Sequence, residues 1–303
     1  MTKLTDLQQK IADLLPETQF SYNEPMAKHT SFRIGGPAEV MIFPNSAEEL
    51  SFVLKRTALL DCNRAILGAG TNVLAPDEGV PGIVICLKDC LNGISLEEEN
   101  RIRVSAGVTM TRAAVFAANN SLGGFEFAHG IPGTVGGGVY MNAGAYGGEI
   151  CQVCESVDVL TADGEFKCYS REDMGFSYRH SRLEDSGEIV VSAVFALTPK
   201  PQEEIRGLMQ ELMNKRKTSQ PLEYPSAGSA FKRPVGGYAA ALIDKAGLKG
   251  FRIGDAAVSE KHAGFVINLG TARANDVKEL LKQVAIKVKE NAGIDLYPEI
   301  RIW

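Results

Sequence analysis

Apolar positions recur with two different periods along this chain, and the changes of period mark out its elements. In MTKLTDLQQKIADLLPE, the residues Leu4, Leu7, Ile11, Leu14 and Leu15 share one face at helical spacing, which predicts an amphipathic N-terminal helix. SFRIGGPAEVMIFP reads as a strand, a glycine turn and a second strand. Ser46 starts a helix, with Glu49 as the reciprocal half of a capping box, and Leu50, Val53, Leu54 and Ala58 carry the pattern to about Leu60. RAILGAGTNVLAP and GIVICLK follow as short apolar strands joined by glycine and proline turns.

A second run of elements begins near Arg101, with strand RIRVSAG and a helix over 109 to 120. Strands SVDVLTADG, EFKCYS and EIVVSAVFALTP come next, with ADG as a hairpin signal. QEEIRGLMQELMNKRK predicts a helix whose basic last turn suits the negative end of its dipole. After the proline-rich QPLEYP come GYAAALIDKAG, strand GFVINLG and a final helix with Val277, Leu280, Leu281, Val284 and Val288 on one stripe. A chain of 303 residues exceeds the usual single core. We therefore expect three subdomains: 1–92, 93–218 and 219–303.

Composition narrows the classes. A formal charge of -5 and a pI near 5.6, with no basic block, argue against a nucleic-acid footprint. No run of about 18 apolar residues is present and the first helix carries scattered charges, so we expect a cytosolic protein without membrane association. The sequence sets no oligomeric state and is compatible with a monomer. The six cysteines include the pairs Cys86 with Cys90 and Cys151 with Cys154. Cys151 to Glu155 reads as the start of an alternating strand, where residues three apart face opposite ways. The four histidines, His29, His129, His180 and His262, show no ligand spacing, so no metal site is expected.

The strongest chemical signal is GIPGTVGGGVYMNAGAYGGE at 130–149, which holds eight of the 31 glycines. Glycine tolerates positive φ and lacks a Cβ, so such a backbone can bring peptide N–H groups against an anion such as a pyrophosphate. ILGAGTNVLAP, with Asp89 about twenty residues on, imitates a dinucleotide fingerprint. The imitation fails at the third glycine, which is Val73, and at a proline-bearing connection over 74–82 that is too short for a crossover helix. A Rossmann fold is not expected. The loop still suits phosphate, with Gly68 and Gly70 exposing backbone N–H groups and Thr71 and Asn72 offering side-chain hydrogen bonds.

Two such loops, together with KHTSFRIGG, GFSYRHS at 175–181, PSAGSAFKRP at 225–234 and YPEIRIW at the end, resemble one family over about residues 25 to 303. The loops are similar to the FAD-binding domain of the p-cresol methylhydroxylase and vanillyl-alcohol oxidase type. The whole set resembles the UDP-N-acetylenolpyruvoylglucosamine reductases, in the shorter form that lacks a long insert in the third subdomain and an extension after Trp303. The resemblance implies an α+β fold, with a two-subdomain FAD-binding part and a third, α/β, substrate-binding domain. It implies FAD as cofactor, NADPH as co-substrate, and reduction of UDP-N-acetylglucosamine enolpyruvate to UDP-N-acetylmuramate in peptidoglycan precursor synthesis.

Residue by residue, the resemblance implies that FAD is held by Leu67, Gly68, Gly70, Thr71, Asn72, Pro132, Gly133, Thr134, Gly136, Gly137, Asn142, Gly144 and Ala145. Ser229 matches the family's proton donor, Arg179 the residue on the substrate carboxylate, and Glu299 the third catalytic residue. A planar, permanently charged guanidinium suits a carboxylate that gains charge during the reaction. Among Lys215, Arg216, Lys217, Lys232 and Arg233, we assign Arg216 first, with Lys232 and Arg233, to the substrate's diphosphate; a solvated helix end accounts for the first three equally well. Two other readings stay open: a flavin-dependent oxidase of small alcohols on the same scaffold, and a noncatalytic nucleotide-binding module.

Overall fold

The computed structural model describes residues 4–88 and 90–303. Asp89 and the first three residues lie outside them. The chain divides into two compact units, each discontinuous in sequence. The first takes the described residues up to Tyr22, then Val40–Ala69 and Gly82–Asn214; the second takes Asn23–Glu39, Gly70–Pro81 and Lys215–Trp303.

The first unit has two apolar clusters. One packs Ile11 from the N-terminal helix Asp6–Leu14 and Leu15 just past its end, and Leu50, Val53 and Leu54 from the helix Ala47–Thr57, with Val40, Ile42, Ile83 and Ile85. The N-terminal helix is closed by a capping box between Thr5 and Gln8, and Leu4 remains 41% exposed at its start. The expected capping box at Ser46 is only half formed. Ser46 accepts from Glu49 N (3.1 Å), but the Glu49 carboxylate turns back to accept from Asn45 N (2.7 Å).

The strands order as Phe20–Pro25, Pro37–Ile42, Val80–Cys86, Arg64–Leu67. The first of these replaces the strand expected at SFRI. There, Thr30 Oγ1 both donates to Ile34 O (2.9 Å) and accepts from Ile34 N (3.3 Å), and Arg33 sits at φ 56°, so the backbone folds into a turn that buries Phe32 and Ile34. Arg64–Leu67 and Val80–Cys86 pair in parallel, Leu67 opposite Cys86. Their connection contains no helix. It contains instead the short strand Val73–Leu74, which pairs in parallel with Arg301–Ile302.

The second cluster lies behind an antiparallel sheet ordered Phe166–Ser170, Cys154–Leu160, Ile189–Ala196, Arg101–Ser105, Ile94–Glu97. Val104, Val157, Val159 and Phe195 meet Ala113 and Ala117 of the helix Met110–Asn119 there. The ADG turn closes with Thr161 N donating to Glu165 O (2.9 Å) and Gly164 at φ 83°. Cys151 is not in a strand: it lies in a 3₁₀ turn, Ile150–Gln152, and the strand begins at Cys154. Burial pushes the Cys154 thiol up to about 12 and the Cys90 thiol to about 11, so both are poor nucleophiles at neutral pH. Among the described residues no three His, Cys, Asp or Glu gather as a metal site, and no helix is long and apolar enough to cross a membrane.

The second unit is built on a sheet ordered Ser226–Ser229, Phe265–Asn268, Ala256–Val258, Arg252–Ile253. The helix Ala274–Ala292 buries Val277, Leu280, Leu281, Val284 and Val288 in the unit's apolar cluster, as its stripe predicts. Phe32, Ile34 and Leu74 join that cluster from the N-terminal half of the sequence. Asp77 caps the same helix, its carboxylate accepting from Ala274 N (2.8 Å) and Asn275 N (3.1 Å).

Candidate active site

In the first unit the glycine segment is not a run of turns. Thr134 caps a short helix, Val135–Tyr140, that contains Gly136, Gly137 and Gly138. Its leading amides are engaged within the fold: Val135 N donates to Val108 O (2.7 Å) and Gly136 N to Ala106 O (2.9 Å). The first N–H groups of this helix are therefore not free to converge on an anion, contrary to what the glycine content suggests. Two of the three glycines are needed for packing, since an added Cβ would lie 2.9 Å from the Ala106 Cβ at Gly136 and 2.7 Å from the Met110 Sδ at Gly138. Gly137 differs. It is exposed, and its Cβ would meet only the Thr134 hydroxyl, at 3.7 Å.

Further along, Gly144–Ala145 and Gly148–Glu149 form a hairpin whose two turn residues, Tyr146 and Gly147, both have positive φ. Asn142 is buried and heavily used. Its amide nitrogen donates to Glu149 Oε2 (3.1 Å) and Ser177 O (3.0 Å), and its oxygen accepts from Cys151 N (3.0 Å). Both amide protons are spent inside the fold, so the side chain has no donor left for a cofactor.

The same bond ties the glycine segment to the turn Ser177–His180, which carries Arg179. Arg179 adopts φ 55°, an uncommon conformation for a residue with a Cβ. Its Nη2 donates to Gly144 O (3.2 Å) and its guanidinium carbon lies 5.1 Å from the centre of the Tyr178 ring. Leu67 and Gly68 also belong to this unit, and a Cβ at Gly68 would lie 2.7 Å from Thr134 Oγ1. The first part of the GAGTNVL loop is thus brought beside the start of the glycine helix.

Gly70, Thr71 and Asn72 belong to the second unit. Gly70 sits at φ 61° with no room for a side chain, because an added Cβ would lie 2.0 Å from His29 O. Asn72 reaches the C-terminal segment: its Nδ2 donates to Glu299 O (3.3 Å), and Arg301 N donates to its carbonyl (2.9 Å). Glu299 N in turn donates to Ala230 O (2.9 Å), next to Ser229. Within one unit, therefore, backbone and amide bonds link the Asn72 turn, Glu299 and the residue after Ser229.

Ser229 is exposed at the end of a bulged strand between buried Ala227 and Ala230. Gly228 precedes it at φ 76°, and such a bulge re-aims the next side chain. The opposite strand begins at a turn in which His262 Nδ1 accepts from Gly264 N (3.1 Å), while Gly264 O accepts from Ala230 N (2.8 Å). Burial, with a smaller push from Lys249, holds His262 below its ordinary value of 6.5. The stability that goes with the neutral ring is complete above 6.5 and is lost as pH falls through the lower folded value. Chemical denaturation at pH 7 and pH 5 should therefore show a smaller acid loss in His262→Gln than in the parent; an equal loss would put the acid sensitivity elsewhere.

The basic residues separate. Arg216 is only 6% exposed near the end of the helix Gln202–Ser219, with Nη1 donating to Gln220 Oε1 (3.3 Å), whereas Lys215 and Lys217 are exposed. A solvated helix end thus describes the lysines and not Arg216. Lys232 and Arg233 are exposed, and the Arg233 guanidinium lies over the Tyr238 ring at 4.5 Å.

Comparison with known proteins decides the family. A family model described as UDP-N-acetylenolpyruvoylglucosamine reductase, C-terminal domain, matches residues 220–303, and one described as FAD binding domain matches residues 38–168. A UDP-N-acetylenolpyruvoylglucosamine reductase of Agathobacter rectalis is 46% identical over 96% of this chain and 96% of its own length. The chain belongs to the UDP-N-acetylenolpyruvoylglucosamine reductase family. A reductase of that name from Streptococcus pneumoniae is 44% identical over 98% of both chains. The crystal structure of the reductase from Thermus caldophilus matches with a TM-score of 0.80 and 38% identity, covering 95% of this chain and 99% of that one. The fold is accordingly that of the reductase family, with an FAD-binding domain, as the motifs implied.

Proposed function

We propose that the chain reduces UDP-N-acetylglucosamine enolpyruvate to UDP-N-acetylmuramate, with NADPH as reductant, as a cytoplasmic enzyme of peptidoglycan precursor synthesis. The observation that carries the reading is the joining, inside the second unit, of the Asn72 turn to Glu299 and to the strand end that bears Ser229. When bound, FAD supplies two-electron chemistry between NADPH and the enolpyruvyl ether. The division into 1–92, 93–218 and 219–303 is part of the proposal; the number of apolar clusters agrees with it, while Phe32, Ile34 and Leu74 of the first segment pack in the cluster of the third and Leu160 and Ile189 of the second pack in that of the first.

The surroundings of Gly137 support a flavin nucleotide here. Helix formation favours alanine over glycine by about 1 kcal/mol, yet Gly137 keeps an open, exposed position that the protein does not fill. We take the missing side chain as room for the close approach of a ligand. We assign Leu67, Gly68, Gly70, Thr71, Asn72, Pro132, Gly133, Thr134, Gly137, Gly144 and Ala145 to the cofactor. Gly136 and Asn142 shape the segment through the packing and hydrogen bonds described above. Arg179 binds the substrate carboxylate, Ser229 donates a proton, and Glu299 either polarises that carboxylate or orients the proton donor; Arg216, Lys232 and Arg233 serve the diphosphate.

Gly137→Ala should leave the FAD-free protein as stable as the parent or up to about 1 kcal/mol more stable, while weakening FAD binding at least about tenfold. Gly136→Ala should destabilise the protein by about 1–3 kcal/mol whether or not FAD is present. Thermal unfolding and flavin titration separate the two; unchanged FAD affinity in Gly137→Ala would remove that residue from the cofactor site. The activity itself is tested by NADPH oxidation with and without the enolpyruvyl nucleotide. Oxidation that ignores the nucleotide contradicts the reading.

A further inference from the structure

Ser31 stands where three segments of the second unit meet. Its N–H donates to Gly70 O (3.0 Å), and its hydroxyl lies 2.6 Å from Ser226 O and 3.3 Å from Gly70 O. A hydroxyl has one proton to give, and the shorter distance assigns it to Ser226. Ser226–Ser229 is the end strand of its four-stranded sheet, and its pairing with Phe265–Asn268 is interrupted by a register shift between Ser226 and Ser229. Gly228, inside that shift, has nothing within 4 Å of an added Cβ, so side-chain packing does not wedge the backbone there. Beyond the shift Ser229 pairs with Phe265 and Ala230 N donates to Gly264 O (2.8 Å), so the Ser226 end is the other point that sets how Ser229 is presented. On the Ser226 carbonyl the anchor is the Ser31 hydroxyl, and the same residue's N–H fixes the Gly70 turn.

We infer that Ser31 is a positioning residue for proton transfer: its hydroxyl holds the Ser229-bearing strand in register with the turn at Gly70. This role rests on the proposed reductase reading, and Ser31 itself need not touch substrate. Closing the turn alone requires only the Ser31 N–H, which alanine keeps.

The test uses the full-length, FAD-loaded protein and the variants Ser31→Ala and Ser31→Thr, with the parent and Ser229→Ala measured alongside. In Ser31→Ala, FAD content and flavin reduction by NADPH should stay within about twofold of the parent. The rate of the enolpyruvyl half-reaction should fall roughly tenfold with little change in KM, about what losing one hydrogen bond to an anchoring carbonyl allows. Threonine, which keeps the hydroxyl, should restore the rate. As a readout independent of activity, amide hydrogen exchange over residues 225–231 in FAD-free protein should quicken roughly tenfold in Ser31→Ala and not in Ser31→Thr. If alanine prevents folding, Ser31→Cys, a weaker donor, is measured in the same way. An unchanged rate with unchanged exchange, failure of threonine to rescue, or a loss confined to flavin reduction overturns the inference. A parent that does not turn over the enolpyruvyl nucleotide removes the reductase reading instead, and an active parent beside an unaffected Ser31→Ala removes only the role of Ser31.

Discussion

Ser229→Ala is expected to keep flavin reduction by NADPH within about twofold and to lose roughly 10²- to 10⁴-fold in turnover of the enolpyruvyl nucleotide, the range typical of a lost proton donor. Reduction adds a hydride to the terminal carbon of the enol ether, which leaves negative charge on the neighbouring carbon and its carboxylate. That carbon must then receive a proton. A serine hydroxyl is a weak acid, but against a carbanion-like centre it has sufficient driving force. The fold presents the group accordingly: Ser229 is exposed after a left-handed glycine, between two buried alanines, and Glu299 is bonded through its backbone to the next residue. Alanine removes one exposed oxygen and no buried contact, so unfolding should not explain the loss. Stopped-flow measurement of the two half-reactions checks this; normal turnover in the variant would free Ser229 of its assigned part.

Arg179→Lys should slow the same half-reaction by roughly 10²- to 10³-fold while leaving the first one alone, the scale seen when a donor to developing negative charge is lost. A guanidinium can grip both carboxylate oxygens in one plane and hold them harder as charge accumulates, whereas an ammonium cannot match that fork. Arg179 is held at φ 55° in a tight turn, with Asn142 fixing Ser177 and Gly144 O receiving Nη2. A bulky residue in this conformation is costly, and such strain is commonly retained where a side chain must be aimed. Lysine keeps the charge and the turn, so the comparison isolates geometry. An unchanged rate would return Arg179 to an ordinary surface position.

Long elements with a strong period were legible from the residues alone. The stripe of the last helix is buried as its spacing predicts, because five apolar residues at helical spacing leave one way to hide them. The strand Phe20–Pro25 was not, since its half-buried, largely polar residues give no period-2 signal. SFRI misled because a threonine hydroxyl and one positive φ turned an apolar alternation into a loop. The glycine segment showed where something unusual happens but not its form. Glycines that let helices pack and a glycine that leaves room for a ligand look identical in sequence, and only the surroundings of Gly136, Gly137 and Gly138 tell them apart. The roles proposed for Arg179, Ser229 and Glu299 rest on family resemblance, and the bond from Asn72 to Glu299 joins residues 227 positions apart that no local pattern could pair.

The most direct test is an anaerobic two-step titration of the purified protein. NADPH should bleach its yellow colour, and UDP-N-acetylglucosamine enolpyruvate should then restore it, with one UDP-N-acetylmuramate formed for each NADPH consumed. A colourless protein, a colour that NADPH does not bleach, or one that returns only when oxygen is admitted would contradict the assignment.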